Sequence, residues 1–253
     1  MLGVRLRPAN IDSSAGALEE VERIVKQIRQ SWPEVKIILR ADSGFCRESL
    51  MSWCEANQVE YVFGFARNER LRRMSDPQMQ QAAALHRASG QAARVFTEFA
   101  YETNTSWSRP RRVVAKAEQI EGKENPRYVV TSLAADQWPA QPLYEQLYCA
   151  RGDMENRIKE QYSLFAGRVS AATMRANQLR LYLSAAAFVL MSAFRRLALS
   201  GTVWARAQCE TIRSQLLRIG AQVRITARKV WISIVSSYPH WRVFVQAHQQ
   251  LRC

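Results

Sequence analysis

The sequence predicts an α/β fold: a mixed sheet flanked by helices, interrupted by an antiparallel β-rich insertion and followed by a helical C-terminal region. Three observations carry this. Strand and helix patterns alternate from residue 1 to residue 66, three β-rich runs follow one another between residues 93 and 133, and helical spacing returns from Leu143 through Leu199. With 253 residues, 47% of them apolar, the chain has material for one large domain or two modest ones.

"LGVRLRP" alternates apolar and basic residues as a strand does, until Pro8 and Asn10 break it. "SSAGALEEVERIVKQIRQSW" carries Ser caps, early Glu and apolar residues at Leu18, Val21, Val25 and Ile28, which predicts an amphipathic helix. "VKIILRAD" is a nearly continuous apolar run, as in a strand buried on both faces. A helix is expected near Arg47 to Asn57, then a strand in "VEYVFGFA". "ARVFTEFAYET", "RPRRVVAKAEQI" and "PRYVVTSL", separated by "NTSWS" and "EGKENP", predict three antiparallel strands. The apolar stretch from Leu181 to Phe194, bracketed by Arg180 and Arg195, is too short to cross a bilayer and reads as a buried core helix. A helix near Val203 to Ile219, a strand-like "AQVRITARKVWISIV" and a short helix after Pro239 complete the reading.

The formal charge of +14 makes a polyanion the expected partner, nucleic acid before an anionic membrane surface. Beyond Glu160 the only acidic side chain is Glu210, whereas Arg is abundant there, and its planar fork suits phosphate. A merely soluble basic protein is the plain alternative. Cys46, Cys54, Cys149, Cys209 and Cys253 show no CxxC pair and no zinc-like spacing, so reduced, packing cysteines in a cytoplasmic protein are expected. No signal peptide is visible, and no membrane association is expected.

Two acidic positions stand out. Asp42 ends "VKIILRAD" and is followed at once by the turn-forming "SGF"; in open sheets, ligand and catalytic groups gather at such strand ends, although Asp before Ser-Gly is also ordinary turn chemistry. In "YCARGDMENRIKEQY", helical spacing puts Tyr148, Arg151, Glu155, Lys159 and Tyr162 within an arc of about 80°, with Asp153 on the far side. An exposed Arg151-Glu155-Lys159 ladder is the bland explanation, and a partly buried functional face the sharper one.

"RADSGF" on a strand end, followed after a β-rich insertion by "YCARGDMENRIKEQY" on a helix, resembles the DDE transposases of bacterial insertion sequences, specifically DDE group 1. The resemblance covers essentially the whole chain. It implies a ribonuclease-H-like core interrupted before its last catalytic helix. Residues 1–75 would be a partial core, 76–138 the β-rich insertion, 139–200 the last catalytic helix and core helix, and 201–253 a basic C-terminal region. It further implies that Asp42 is the second acid of the catalytic triad and Glu155 the third, with Tyr148 and Arg151 in support. Where the family has a later Lys this chain has Tyr162, and Lys159 lies one turn earlier.

The first acid has no counterpart, because Asp12 stands in a polar turn after the opening strand. The expectation is a truncated or internally initiated transposase lacking its first catalytic Asp. The alternative is a non-catalytic DNA-binding or dimerising remnant able to inhibit a full-length transposase. Carboxylate-only ligation suits Mg²⁺ or Mn²⁺, two ions in a complete site, for metal-dependent DNA cleavage and strand transfer. Arg151 and Lys159 are candidates for holding phosphate beside the acids. In "SWSRPRR", Trp107 with Arg109, Arg111 and Arg112 could meet DNA at a hairpin tip, a half-buried Trp on a solvated turn being the plainer reading; Arg224, Arg228 and Lys229 are further phosphate candidates. Expected partners are transposon-end and target DNA and a second copy or a full-length transposase. The expected place of action is the bacterial nucleoid.

Overall fold

The computed structural model describes residues 1–251, with the side chains of Arg151, Asp153, Phe165 and Ala166 outside the description. The chain divides into two compact units, Pro8–Met154 and Met1–Arg7 together with the segment from Glu155 onward.

The unit Pro8–Met154 is built on a mixed sheet of six strands. Helix α1 (Ala17–Ser31) leads into β1 (Ile38–Ala41), α2 (Glu48–Ala56), β2 (Glu60–Phe65) and α3 (Glu69–Ser89). Strands β3 (Ala93–Tyr101), β4 (Arg111–Ile120), β5 (Lys123–Glu124) and β6 (Arg127–Thr131) follow. The spatial order is β1-β2-β6-β4-β3, with β5 beside β4. Only β1 and β2 run parallel, Leu39 opposite Tyr61; β6 joins β2 antiparallel, Phe63 opposite Val130. The expected insertion strands therefore extend the core sheet itself.

Strand β2 shows why its sequence reads as one apolar run. Tyr61 and Phe63 enter a core with Val25 of α1, Met51 and Cys54 of α2 and Leu71 of α3. Val62 points to the opposite face, into a core with Val114, Val129, Leu143 and Tyr144. Burial on both faces removes the polar alternation that would mark a half-exposed strand.

Helix α3 had no counterpart in the sequence reading, where its residues straddle the expected boundary at residue 75. Pro77 inside it masked the pattern. Its ends are clear in the structure: the Asn68 side chain accepts from the Leu71 N–H at 2.9 Å, and Gly90 closes the helix at φ 68. Helix α1 also begins differently from expectation. Gly16 at φ 75 precedes it without a side-chain cap, and the Ser14 hydroxyl and N–H are both bound by the Asp12 carboxylate.

In the other unit, the expected opening strand does not form. Residues 1–8 carry no regular structure; instead, the Leu6 N–H donates to Gln178 Oε1 at 2.6 Å and Gln178 Nε2 donates to the Val4 carbonyl at 3.2 Å. One side-chain amide thus offers this segment the donor and acceptor that a residue of a parallel neighbouring strand would supply. Helix α4 (Ala140–Pro142), still in the sheet-bearing unit, continues through a wide helical turn at Leu143–Tyr148 and a tight one at Cys149–Arg151 into α5 (Gly152–Gln161). Then come α6 (Met174–Leu197), the short α7 (Cys209–Thr211) with a wide turn Ile212–Leu217, an antiparallel pair β7 (Ala221–Ile225) and β8 (Val230–Ile234), and α8 (Trp241–Gln250).

Helix α6 corrects the expectation of a core helix. Leu181, Ser184 and Phe188 are buried, while Tyr182, Leu183, Val189 and Leu190 are exposed. Its N-cap is Thr173, whose hydroxyl accepts from the Ala176 N–H at 3.2 Å. A buried carboxylate ties this unit together: Glu160 accepts from Arg195 at 2.9 Å, from Arg157 at 2.6 Å and from the Cys209 N–H at 3.3 Å. Burial opposes its ionisation, but the two guanidiniums prevail and hold its carboxyl below the usual range.

Candidate active site

Asp42 follows β1 directly and caps the short helical turn Ser43–Phe45. Its side chain is exposed, and Oδ1 accepts from the Gly44 N–H at 2.9 Å. That bond fixes one carboxylate oxygen on a rigid strand end.

Tyr148 arrives at the same place from far along the chain. Arg40 of β1 donates to the Leu147 carbonyl at 2.6 Å, a contact spanning 107 residues, which pins the wide turn against the strand. Tyr148 packs on Tyr144 with ring centroids 5.5 Å apart. Its hydroxyl occupies the space above Gly64: a Cβ at that glycine would stand 2.5 Å from Tyr148 Oη, 3.0 Å from the Ser43 nitrogen and 3.3 Å from the Asp42 carbonyl carbon. Glycine here is a requirement of close approach between β2, the Asp42–Ser43 peptide and the phenol.

The polar turn holding Asp12 lies against this loop. Ser13 Oγ donates to the Gly44 carbonyl at 3.2 Å, and Asp12 pairs with Arg47 at 2.8 Å. The Asp12 carboxyl is held far below the usual range, chiefly by Ser14 and then by Arg47. Asp12 therefore anchors its loop.

A cleft of about 460 Å³ opens beside Ser43, Gly64 and Tyr148, lined further by Arg67, Lys123, Arg127 and Tyr144. These three exposed cations were not singled out in the sequence. Their positions, after β2 and around the β5–β6 turn, bear no spacing that links them, and only sheet pairing brings them together.

Other expected contacts look different in three dimensions. Trp107 is buried, packed on Phe65 and Tyr101 at centroid distances of 5.1 and 5.7 Å, so it is core and presents no face for base stacking. Arg111 is buried and bound to Glu48 at 2.6 Å and Glu55 at 2.7 Å, and its guanidinium lies over the Trp107 ring. Arg112 is spent on Glu98 and the carbonyls of Leu133 and Trp138. Arg109 is exposed, paired with Glu55 at 2.8 Å. Arg224, Arg228 and Lys229 are exposed on the β7–β8 ribbon. Glu155, Lys159 and Tyr162 are exposed in the unit that starts at Glu155. The side chain of Arg151 lies outside the described residues.

Carboxylate oxygens at exposed positions fit a hard divalent cation. Among the described residues no group of three His, Cys, Asp or Glu side chains gathers to hold one. No helix among them is long and apolar enough to cross a membrane.

The architecture is that of a mixed α/β protein in which Asp42 follows the end of β1 and the next residue, Ser43, lines the cleft that holds Arg67, Lys123 and Arg127. The family model described as Transposase DDE domain group 1 matches residues 1–253, and the chain belongs to that family of transposases. No curated protein matches it.

Proposed function

We propose that Asp42 and Glu155 are two carboxylates of a phosphoryl-transfer site for DNA strand cleavage and transfer, on a ribonuclease-H-like core. The observation that carries this is the arrival of Tyr148, seven positions before Glu155 in the sequence, over Gly64 beside the Asp42–Ser43 peptide. Nothing in the packing of a plain turn residue requires a distant tyrosine there.

Asp42 and Glu155 would hold Mg²⁺ or Mn²⁺, which supplies Lewis acidity and an activated oxygen nucleophile when bound. Tyr148 positions the Asp42 loop. Arg67, Lys123 and Arg127 hold phosphates along the cleft, with Arg151 and Lys159 serving the same purpose near Glu155. Arg109, Arg224, Arg228 and Lys229 supply outer phosphate contacts. Trp107, Arg111 and Arg112 are left out, since each is committed within its unit.

One observation favours the alternative, a non-catalytic DNA-binding remnant. Among the described residues β1 pairs only with β2, so no strand on its outer side brings a further carboxylate beside Asp42.

The test is nicking of supercoiled plasmid by the purified chain in Mg²⁺ or Mn²⁺, with Asp42→Asn and Glu155→Gln. Activity lost in both variants supports the enzyme. Inactive chain that still binds DNA, with affinity falling steeply with salt, supports the remnant. Backbone cleavage directed by Fe²⁺ should cut near both Asp42 and Glu155; cutting near one alone would end the proposal that they share a metal.

A further inference from the structure

The wide helical turn Leu143–Tyr148, which delivers Tyr148 to the Asp42 loop, is gripped by cations from three different strands. On β1, the Arg40 guanidinium donates to the Leu147 carbonyl at 2.6 Å. On β3, Arg94 pairs with Glu145 at 3.4 Å, and Gln141 donates to the same carboxylate at 3.0 Å. On β4, the Lys116 ammonium lies 5.5 Å from the centroid of the Tyr144 ring. The buried Glu118 orients the last two cations, accepting from Arg94 at 2.6 Å and from Lys116 at 2.5 Å.

Arg40 differs from the other two in where it starts. It stands two residues before Asp42 on the same strand and opposite Val62 in the register, hence on the face where Val62 packs with Leu143 and Tyr144. The wide turn passes directly into a tight one at Cys149–Arg151, which interrupts the regular helical ladder. Carbonyls at such a junction are met by donors from outside the helix, and a guanidinium supplies a charge-assisted one. The chain then stays beside the acid: Met154, six residues beyond Tyr148, lines a separate cleft of about 290 Å³ together with Leu39, Ala41, Asp42 and Phe45.

We infer that Arg40 is a positioning residue of the candidate site. It acts through the Leu147 carbonyl to set Tyr148, and the helix start that follows, against the Asp42 strand end. Arg94 and Lys116 brace the other side of the same turn. In a chain of charge +14, an Arg so close to the acid would equally suit a phosphate ligand. Its bond to Leu147 assigns it to the interior of the fold instead. The effect on rate rests on the phosphoryl-transfer reading above; the effect on geometry does not.

The experiment compares Arg40→Gln and Arg40→Lys with the wild-type chain by three measurements. The first is amide exchange at Cys149, whose N–H bonds the Tyr144 carbonyl across the wide turn. Protection there should fall about 10-fold or more in Arg40→Gln, with β4 and β6 unchanged, and recover in Arg40→Lys, which keeps a charged donor for the carbonyl. The second is DNA affinity as a function of salt. Both variants should keep the wild-type slope, whereas loss of a phosphate contact would reduce it by about one. The third is plasmid nicking at saturating Mg²⁺, which should slow about 10- to 100-fold in Arg40→Gln, with KM for DNA unchanged, and recover in part in Arg40→Lys.

Unchanged protection at Cys149, a salt slope reduced by about one, or undiminished nicking in Arg40→Gln would each overturn the assignment. A wild-type chain that does not nick would remove the phosphoryl-transfer reading alone, and amide exchange with the salt slope would still decide for or against Arg40.

Discussion

The hydroxyl of Tyr148 occupies the space that a side chain at Gly64 would need, 2.5 Å from where its Cβ would stand. Two residues far apart in sequence therefore specify each other. Gly64→Ala should destabilise by about 1–3 kcal/mol, because the Ser43 nitrogen, a backbone atom, blocks the other side at 3.0 Å. In a Tyr148→Phe background the same substitution should cost less, since the atom it meets is gone. Urea unfolding of the four proteins measures the coupling; strict additivity would refute the contact.

Arg111 illustrates how a cation in a basic segment can be structural. Replacing it with Met takes the buried guanidinium from Glu48, which keeps the Ser52 and Ser108 hydroxyls, and from Glu55, which keeps Tyr61 and Arg109, and a loss of about 3 kcal/mol is expected. Arg109→Ala removes an exposed pair and should cost well under about 1 kcal/mol. In DNA titrations of folded protein the order should reverse, Arg109→Ala weakening binding and Arg111→Lys leaving it unchanged. Equal stability losses in the two alanine- and methionine-substituted chains would show that Arg111 is not buried as described.

Acid should unfold the sheet-bearing unit through two carboxylates. Burial opposes ionisation of Glu48 and Glu118. Arg111, Ser108 and Ser52 in one case, and Lys116, Arg94 and Asn125 in the other, outweigh it and hold each carboxyl at about 2 against an ordinary 4.5. Folded values below unfolded ones mean that this stabilisation is complete above the unfolded value and is lost as pH falls from 4.5 through about 2. Each group contributes at most about 3 kcal/mol. The urea midpoint should hold between pH 7 and pH 5 and drop below, with a shallower drop in Glu118→Gln. An unaltered profile in that variant would contradict the network.

Thiol accessibility offers a check on packing. Burial pushes the Cys46 and Cys54 thiols up to about 12; it raises the Cys149 thiol as well, but that residue is exposed to reagent. Peptide mapping after brief alkylation should find Cys149 modified well before Cys54 and Cys209. Cys54 reacting as fast as Cys149 would mean that α2 does not cover the sheet as described.

Much of the fold was legible because periodicity is local. The apolar runs of β1 and β2, the spacing in α1 and the alternation of β3, β4 and β6 each declare themselves within a few residues. Helix α3 did not, since Pro77 interrupts its pattern, and its buried positions Leu71, Ser75 and Met79 make sense only once Tyr128 is seen to bond Ser75 at 2.9 Å. The opening segment alternates as a strand does but finds no strand to pair with among the described residues, its partner being the side-chain amide of Gln178.

By itself the sequence determined the family, the order of the elements and the placing of Asp42 at a strand end, for these follow from residue types at short spacing. Only the tertiary structure decided which charges are available. Arg111 and Arg112 disappear into ion pairs while Arg67, Lys123 and Arg127 meet at one cleft. Charge in a sequence counts residues, but burial and partners are properties of pairs distant along the chain, and sheet order alone brings those pairs together.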